Sequence, residues 1–153
     1  MIVRIFNRQR TLALTALPVR RLVTHVLAQE GKTCDEVSIY FVNTPTICRL
    51  HADYFNDPSP TDCISFPLDE ADDDEGFPYR VLGDVFVCPE TAVKYAQSRS
   101  LDPYHEVTLY IVHGLLHLMG YDDMNPICRR RMRRAEKRHL QALITANLQL
   151  NCA

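Results

Sequence analysis

"HGLLHLMGYDDMNP", residues 113 to 126, is the stretch on which the fold and the chemistry both turn. His113 and His117 stand four apart, so on a helix of about 3.6 residues per turn they share one face. From Val107 to Met119 the chain is apolar nearly all round, which predicts an interior helix. Asp102 and Pro103 suit its N-cap and first turn, Glu106 falls in the positive first turn, and Gly120 supplies a left-handed stop. A buried imidazole needs a hydrogen-bond partner or a metal, and two that face one another need something between them.

Two readings stay open on these residues alone. Each histidine is a core residue bonded to a backbone carbonyl, or the two are metal ligands at the end of a buried helix. In the second reading the turn through "GYDD" brings a carboxylate back over the rings, with Asp122 and Asp123 both available. Three such ligands with an open position are the pattern of catalytic zinc. The peptidase pattern H-E-x-x-H is disfavoured, because Gly114 stands where its glutamate general base is required.

Outward from this helix the chain reads as one α+β domain over residues 1–153, a mixed sheet of about four strands flanked by helices. "MIVRIF" opens as a strand, and Leu17, Leu22, Val26 and Leu27 follow at helical spacing with Pro18 in the first turn and Gly31 at the stop. "EVSIYFVN" alternates as a second strand, and "TPTICRLHADYF" is a short helix built on Ile47, Leu50 and Tyr54. "TDCISFPLDE" is a third strand in which Pro67 marks an edge or a bulge. "VLGDVFVCPE", apolar on both parities, belongs in the middle of the sheet. Pro89 begins a helix to about Ser98. The last helix runs from about Asn125 to Leu148, with Cys128, Met132, Ala135, His139, Ala142 and Ala146 in one stripe.

Composition narrows the function classes. Of 153 residues 46% are hydrophobic and 24% charged, with a net charge of -2, as in an ordinary globular protein. No apolar run reaches the roughly 18 residues of a membrane span, and "MIVRIFNRQR" lacks a secretory h-region, so a cytoplasmic protein with no membrane partner is expected. The six cysteines are scattered without a C-x-x-C pair and read as small buried thiols outside the site. Charge is segregated: "DEADDDEG" carries six of the 19 acids, and "CRRRMRRAEKRH" seven of the 17 basic residues. The acidic run reads as a solvated loop. The basic run is either a solvated helix face or a surface for RNA phosphates, and its five clustered arginines favour RNA through Arg129, Arg130, Arg131, Arg133 and Arg134.

Three blocks in order carry a resemblance. "SPTDCISFPLD", "LGDVFVC" and "HGLLHLMGYDD" resemble the P-T-[DN]-V-L-S-F-P, L-G-D-[IV] and H-G-x-L-H-L-x-G-Y-D-H motifs of the YbeY family, and the likeness spans about residues 35 to 145. It implies a metal-dependent, single-strand-specific endoribonuclease in 3′-end maturation of small-subunit (16S) ribosomal RNA and in ribosome quality control. The small ribosomal subunit and its assembly GTPases are the implied partners. It also implies one metal ion per chain, usually taken as Zn2+ although another divalent metal is allowed, held by three histidines. His113 and His117 match two of them. The third position is Asp123, which reaches less far and adds negative charge but still completes a His/His/Asp set. A second departure is Phe55, where many relatives carry an arginine; in place of phosphate binding, packing is the expected role there, with stacking on a base as the alternative.

In this reading the metal activates the attack on a phosphodiester, with Asp122 as the candidate general base or as a hydrogen-bond partner of a ligating histidine. Ser65 and Asp84 are candidates to orient the site from neighbouring strands. His51, His105 and His139 have no ligand spacing, and His25 is expected on a helix surface. Two alternatives remain: a ribosome-assembly binding factor whose metal fixes the fold, and a metallohydrolase of another ester or of peptides.

Overall fold

The computed structural model describes residues 1 to 68 and 79 to 152; the acidic run read as a loop, residues 69–76, lies outside them. Among the described residues the chain runs β1 (Ile2–Asn7), α1 (Ala16–Gln29), β2 (Glu36–Phe41), α2 (Thr44–Phe55), β3 (Cys63–Pro67), β4 (Val81–Val87), α3 (Pro89–Arg99), α4 (Pro103–Leu118) and α5 (Pro126–Thr145). The sheet order is β1-β2-β4-β3. β1, β2 and β4 are parallel, and β3 is an antiparallel edge strand on β4. Pro67 therefore sits at the end of an edge strand, where its missing N–H costs no ladder bond. β4 is central, as its doubly apolar pattern requires.

The same device starts three helices. Asn43, Asp102 and Asn125 each accept a backbone N–H of the first turn, at 3.0, 2.9 and 2.9 Å, and a proline follows within two positions. The side-chain oxygen satisfies one orphan donor, and proline's fixed φ fits a first turn that needs no further N–H.

α4 is the spine of the molecule. Val107, Ile111, Val112, Leu115 and Leu116 are fully buried, in one core with Ile39, Phe41, Val85 and Val87 of the sheet and with α1. α4 lies against β3 and β4 and also touches α1, α3 and α5. Gly114 explains the closeness of its approach: a Cβ there would stand 2.4 Å from Val85 Cγ1, so only glycine lets the helix backbone rest on β4. α2 packs on β3 around a second cluster of Val42, Ile47, Ile64 and Cys88.

Four expectations are corrected. Of the six cysteines expected as buried thiols, Cys88 is buried, Cys34, Cys48, Cys63 and Cys128 are partly buried and Cys152 is exposed. α5 ends at Thr145, with Ala146 as C-cap and Asn147 at φ 56°, so Ala146 is exposed instead of continuing the buried stripe, and Leu143 takes its place. Leu17 is 55% exposed because Val19 and Val23 carry the inner face of α1 beside Leu22, Val26 and Leu27. His25 is half-buried, and its Nδ1 is sealed from solvent without a hydrogen-bond partner among the described residues.

Candidate metal centre

The buried helix and the turn after it build the site. Gly120, at φ +95°, reverses the chain immediately after α4, a backbone state that glycine adopts without strain. The reversal sets the Tyr121 carbonyl over the last turn of α4, where it accepts the His117 Nδ1–H at 3.0 Å. His113 Nδ1 donates to Glu136 Oε1 of α5 at 2.7 Å. A carbonyl and a carboxylate only accept, so both rings carry their proton on Nδ1. In the neutral rings both Nε2 atoms then present lone pairs, and the two atoms face one another at 3.1 Å with the ring planes crossed at 83°.

Two acceptors at that distance repel unless a metal ion, or the second proton of an imidazolium, lies between them. Tetrahedral zinc with Zn–N bonds of about 2.0–2.1 Å holds two imidazole nitrogens roughly 3.3 Å apart, close to the spacing found. Asp123 Oδ2 stands 3.8 Å from His117 Nε2, and one ligand atom from each of His113, His117 and Asp123 falls within 4.8 Å of the others. The donor set therefore fits a divalent cation. The arrangement of rings tied down through their coordinating nitrogens, with the carboxyl turned away, is not the one adopted. A backbone carbonyl does hold His117, but through Nδ1, and that frees Nε2.

Charge is distributed unequally between the rings. Burial is the largest single influence on each and disfavours protonation. In His113 the hydrogen bond and charge of Glu136 outweigh burial and hold the pKa above the ordinary value. In His117 the neighbouring His113 adds to burial, and the pKa lies below the ordinary value.

Two cavities open on either side of this cluster and share Asp62, His113 and Asp123 in their walls. One, of about 480 Å³, is also bordered by His51, Phe55, Cys63, Ser65, His117, Asp122 and Met124. The other, of about 160 Å³, is closed by Arg129, Arg133, Tyr110 and Glu136. Asp122 lines the larger cavity, and its Oδ1 accepts the Met124 N–H at 3.1 Å, bracing the turn without bonding a histidine. Ser65 reaches the site through α4, donating to the Gly114 carbonyl at 3.0 Å. Asp84 belongs to neither cavity: Val85 meets Gly114, so its neighbour in the strand points to the opposite face of the sheet, where burial raises its pKa. Phe55 is 56% exposed at the groove rim, which disfavours a packing role.

Of the five clustered arginines at 129–134 on α5, Arg129 and Arg133 line a cavity bordered by His113 and Asp123. Arg131 lies over the Tyr121 ring, 5.3 Å from its centroid, and Arg130 and Arg134 are exposed without lining either cavity of the metal cluster. Three contributors were not anticipated from the sequence: Glu136, the Tyr121 carbonyl and Asp62. Glu136 had a signal, because it falls four residues after Met132 among buried positions of α5 where an unpaired charge is costly. His139, also unassigned, is buried and donates from Nε2 to Glu30 Oε1 at 2.6 Å.

Known proteins share this chain's sequence pattern and fold. The profile of the endoribonuclease YbeY family matches residues 4–144. An endoribonuclease YbeY of Protochlamydia amoebophila (strain UWE25) is 54% identical over 143 residues, 94% of this chain and 93% of its own length. That of Chlamydia trachomatis serovar D is 37% identical over 133 residues, 86% and 81% of the two chains. The solution structure of TM1509 from Thermotoga maritima superposes with a TM-score of 0.64 at 23% identity, over 92% of this chain and 87% of the other, a likeness of fold.

Proposed function

Because the chain belongs to the YbeY family of endoribonucleases, we propose that it is a metal-dependent endoribonuclease of ribosomal RNA processing. Its substrate is single-stranded RNA, with the 3′ end of 16S ribosomal RNA as the physiological target and the small ribosomal subunit and assembly GTPases as partners in the cytoplasm. Among the described residues no helix is long and apolar enough to cross a membrane.

The observation that carries the reading is the pair of Nε2 atoms facing one another at 3.1 Å, with Asp123 beside them and both Nδ1 atoms hydrogen-bonded elsewhere. We assign His113, His117 and Asp123 as ligands of one zinc ion. When bound, the ion supplies Lewis acidity toward a phosphoryl oxygen. Glu136 and the Tyr121 carbonyl fix the tautomer and direction of the two rings, as hydrogen-bond partners of ligating histidines do. Besides the ligand Asp123, two carboxylates border the larger cavity and are assigned as proton acceptors for the attacking hydroxyl. Asp122 keeps Oδ2 free of the turn it braces, and Asp62 keeps Oδ2 free of the Cys63 N–H that its Oδ1 accepts at 2.7 Å.

Elemental analysis combined with cleavage of a labelled single strand, the corresponding duplex and a peptide tests the reading. One metal ion per chain and cleavage of the single strand alone is the expected result. Tight metal binding with no RNA cleavage would turn the protein into an assembly factor with a structural metal, and turnover of peptide instead of RNA would make it a different hydrolase.

A further inference from the structure

We propose that the RNA strand crosses the metal cluster between two subsites, its backbone phosphate on Arg129 and Arg133 and one unstacked base against Phe55 and Met124. The inference rests on the endoribonuclease reading and adds to it where the substrate lies and which of the arginines touch it.

The argument begins with the shared wall. The two cavities have Asp62, His113 and Asp123 in common, so they adjoin across two of the candidate ligands, and a strand laid over that wall reaches both as two arms of one trough. Their outer walls differ in chemistry. The smaller arm ends in Arg129 and Arg133, one helical turn apart on α5 and therefore side by side. Neither guanidinium is in an ion pair among the described residues, whereas Arg4 pairs with Glu36 and Arg138 with Glu30. Asp62, Asp123 and Glu136 border this same arm and repel a phosphodiester. The two guanidiniums are the chain's own cations there, and their planar forks match phosphate oxygens. Arg130 and Arg134, one residue further round the helix, line neither arm.

The larger arm has the opposite character. Phe55 is 56% and Met124 85% exposed, and both stand at its rim, with the His51 ring 5.8 Å from that of Phe55. His51 itself is held by the Ser59 carbonyl at 2.8 Å from Nδ1, so the wall carrying Phe55 is braced. An aromatic face and a polarizable thioether, both solvated beside a polar centre, suit the face of a nucleobase. A base enters this arm while the phosphate beside it sits on Arg129 and Arg133 only if the base leaves its helical stack, which makes the trough selective for single strands.

The test measures binding of a short fluorescent 2′-O-methyl single-stranded RNA to the zinc-loaded full chain at several salt concentrations. Four proteins are compared: wild type, the double variant Arg129→Gln/Arg133→Gln, the double variant Arg130→Gln/Arg134→Gln, and Phe55→Ala. Losing two phosphate contacts lowers the slope of log affinity against log salt by about 1.4. That drop is expected for the 129/133 variant and less than half of it for the 130/134 variant, which has the same charge on the same helix and controls for folding and net charge. Phe55→Ala is expected to bind about tenfold more weakly. On RNAs carrying an abasic residue at each position in turn, one position is expected to abolish the difference between wild type and Phe55→Ala. Equal slopes for the two arginine variants overturn the phosphate subsite. A Phe55→Ala variant that binds like wild type, or whose deficit survives every abasic substitution, overturns the base subsite. A wild-type protein that neither binds nor cleaves any single strand overturns the endoribonuclease reading itself, a result distinct from either of these.

Discussion

Glu136 Oε1 accepts the Nδ1 proton of His113 at 2.7 Å from a helix that begins only after the turn carrying Asp123. The carboxylate does two things: it fixes the tautomer that points a lone pair at His117, and it makes that lone pair more basic. Replacing it by an isosteric amide keeps an acceptor and removes the charge. Glu136→Gln is expected to weaken zinc binding by about 10- to 100-fold with little change in fold. Titration of zinc into metal-free protein checks this, and an unchanged affinity would make Glu136 a bystander.

Glu30 supports the other histidine at one remove. Its carboxylate accepts from His139 at 2.6 Å, Arg138 at 2.9 Å and the Tyr121 hydroxyl at 3.1 Å, and the carbonyl of the same Tyr121 holds His117. Burial is the largest single influence and raises the Glu30 pKa, but the hydrogen bonds together hold it below the ordinary 4.5. A folded-state pKa below the unfolded one adds stability at higher pH, and that stability is lost as pH falls through the folded value. Glu30→Gln is therefore expected to unfold about 1–3 kcal/mol more easily than wild type at neutral pH. The gap should close on acidification, as the pH falls below the ordinary carboxylate range and through the lower folded-state value. Urea midpoints across that range measure it, and a gap independent of pH would exclude the ionic contribution.

Gly114 links catalysis to packing. The position that denies the chain a peptidase-like glutamate is also where α4 touches β4, and a methyl group there meets Val85 Cγ1 at 2.4 Å. Gly114→Ala is expected to cost about 1–3 kcal/mol through overpacking. In a Val85→Ala background the same substitution should cost less, because the obstructing methyl is gone. A double-mutant cycle in denaturant reports the coupling, and additive effects would mean that the helix shifts freely on the sheet.

The parts of this architecture that follow local rules were readable from the chain. Asp102 and Asn125 announce helix starts, Gly120 announces the reversal, and the four-residue spacing of His113 and His117 puts them on one face. The parts that follow from packing were not. Glu136 meets His113 across 23 positions of sequence, and Glu30 meets His139 across 109, because α5 happens to lie against α4 and α1. No periodicity within one helix encodes which residue of another it will face. The arginines show the same boundary: their clustering predicts a cationic surface, but only the rotation of α5 about its axis directs Arg129 and Arg133 toward the metal cluster and leaves Arg130 and Arg134 outside.

Asp123 is the residue on which the account depends most, since it stands where the family's third histidine is expected and lies 47% exposed on a turn. The direct measurement is the zinc affinity of wild type, Asp123→Ala and Asp123→His, by competition with a chelator of known strength. Wild type should bind one ion per chain, Asp123→Ala should bind at least about tenfold more weakly, and Asp123→His should bind at least as tightly as wild type. An Asp123→Ala variant that holds zinc with wild-type affinity and stoichiometry would contradict the assignment of the carboxylate and the His/His/Asp centre with it.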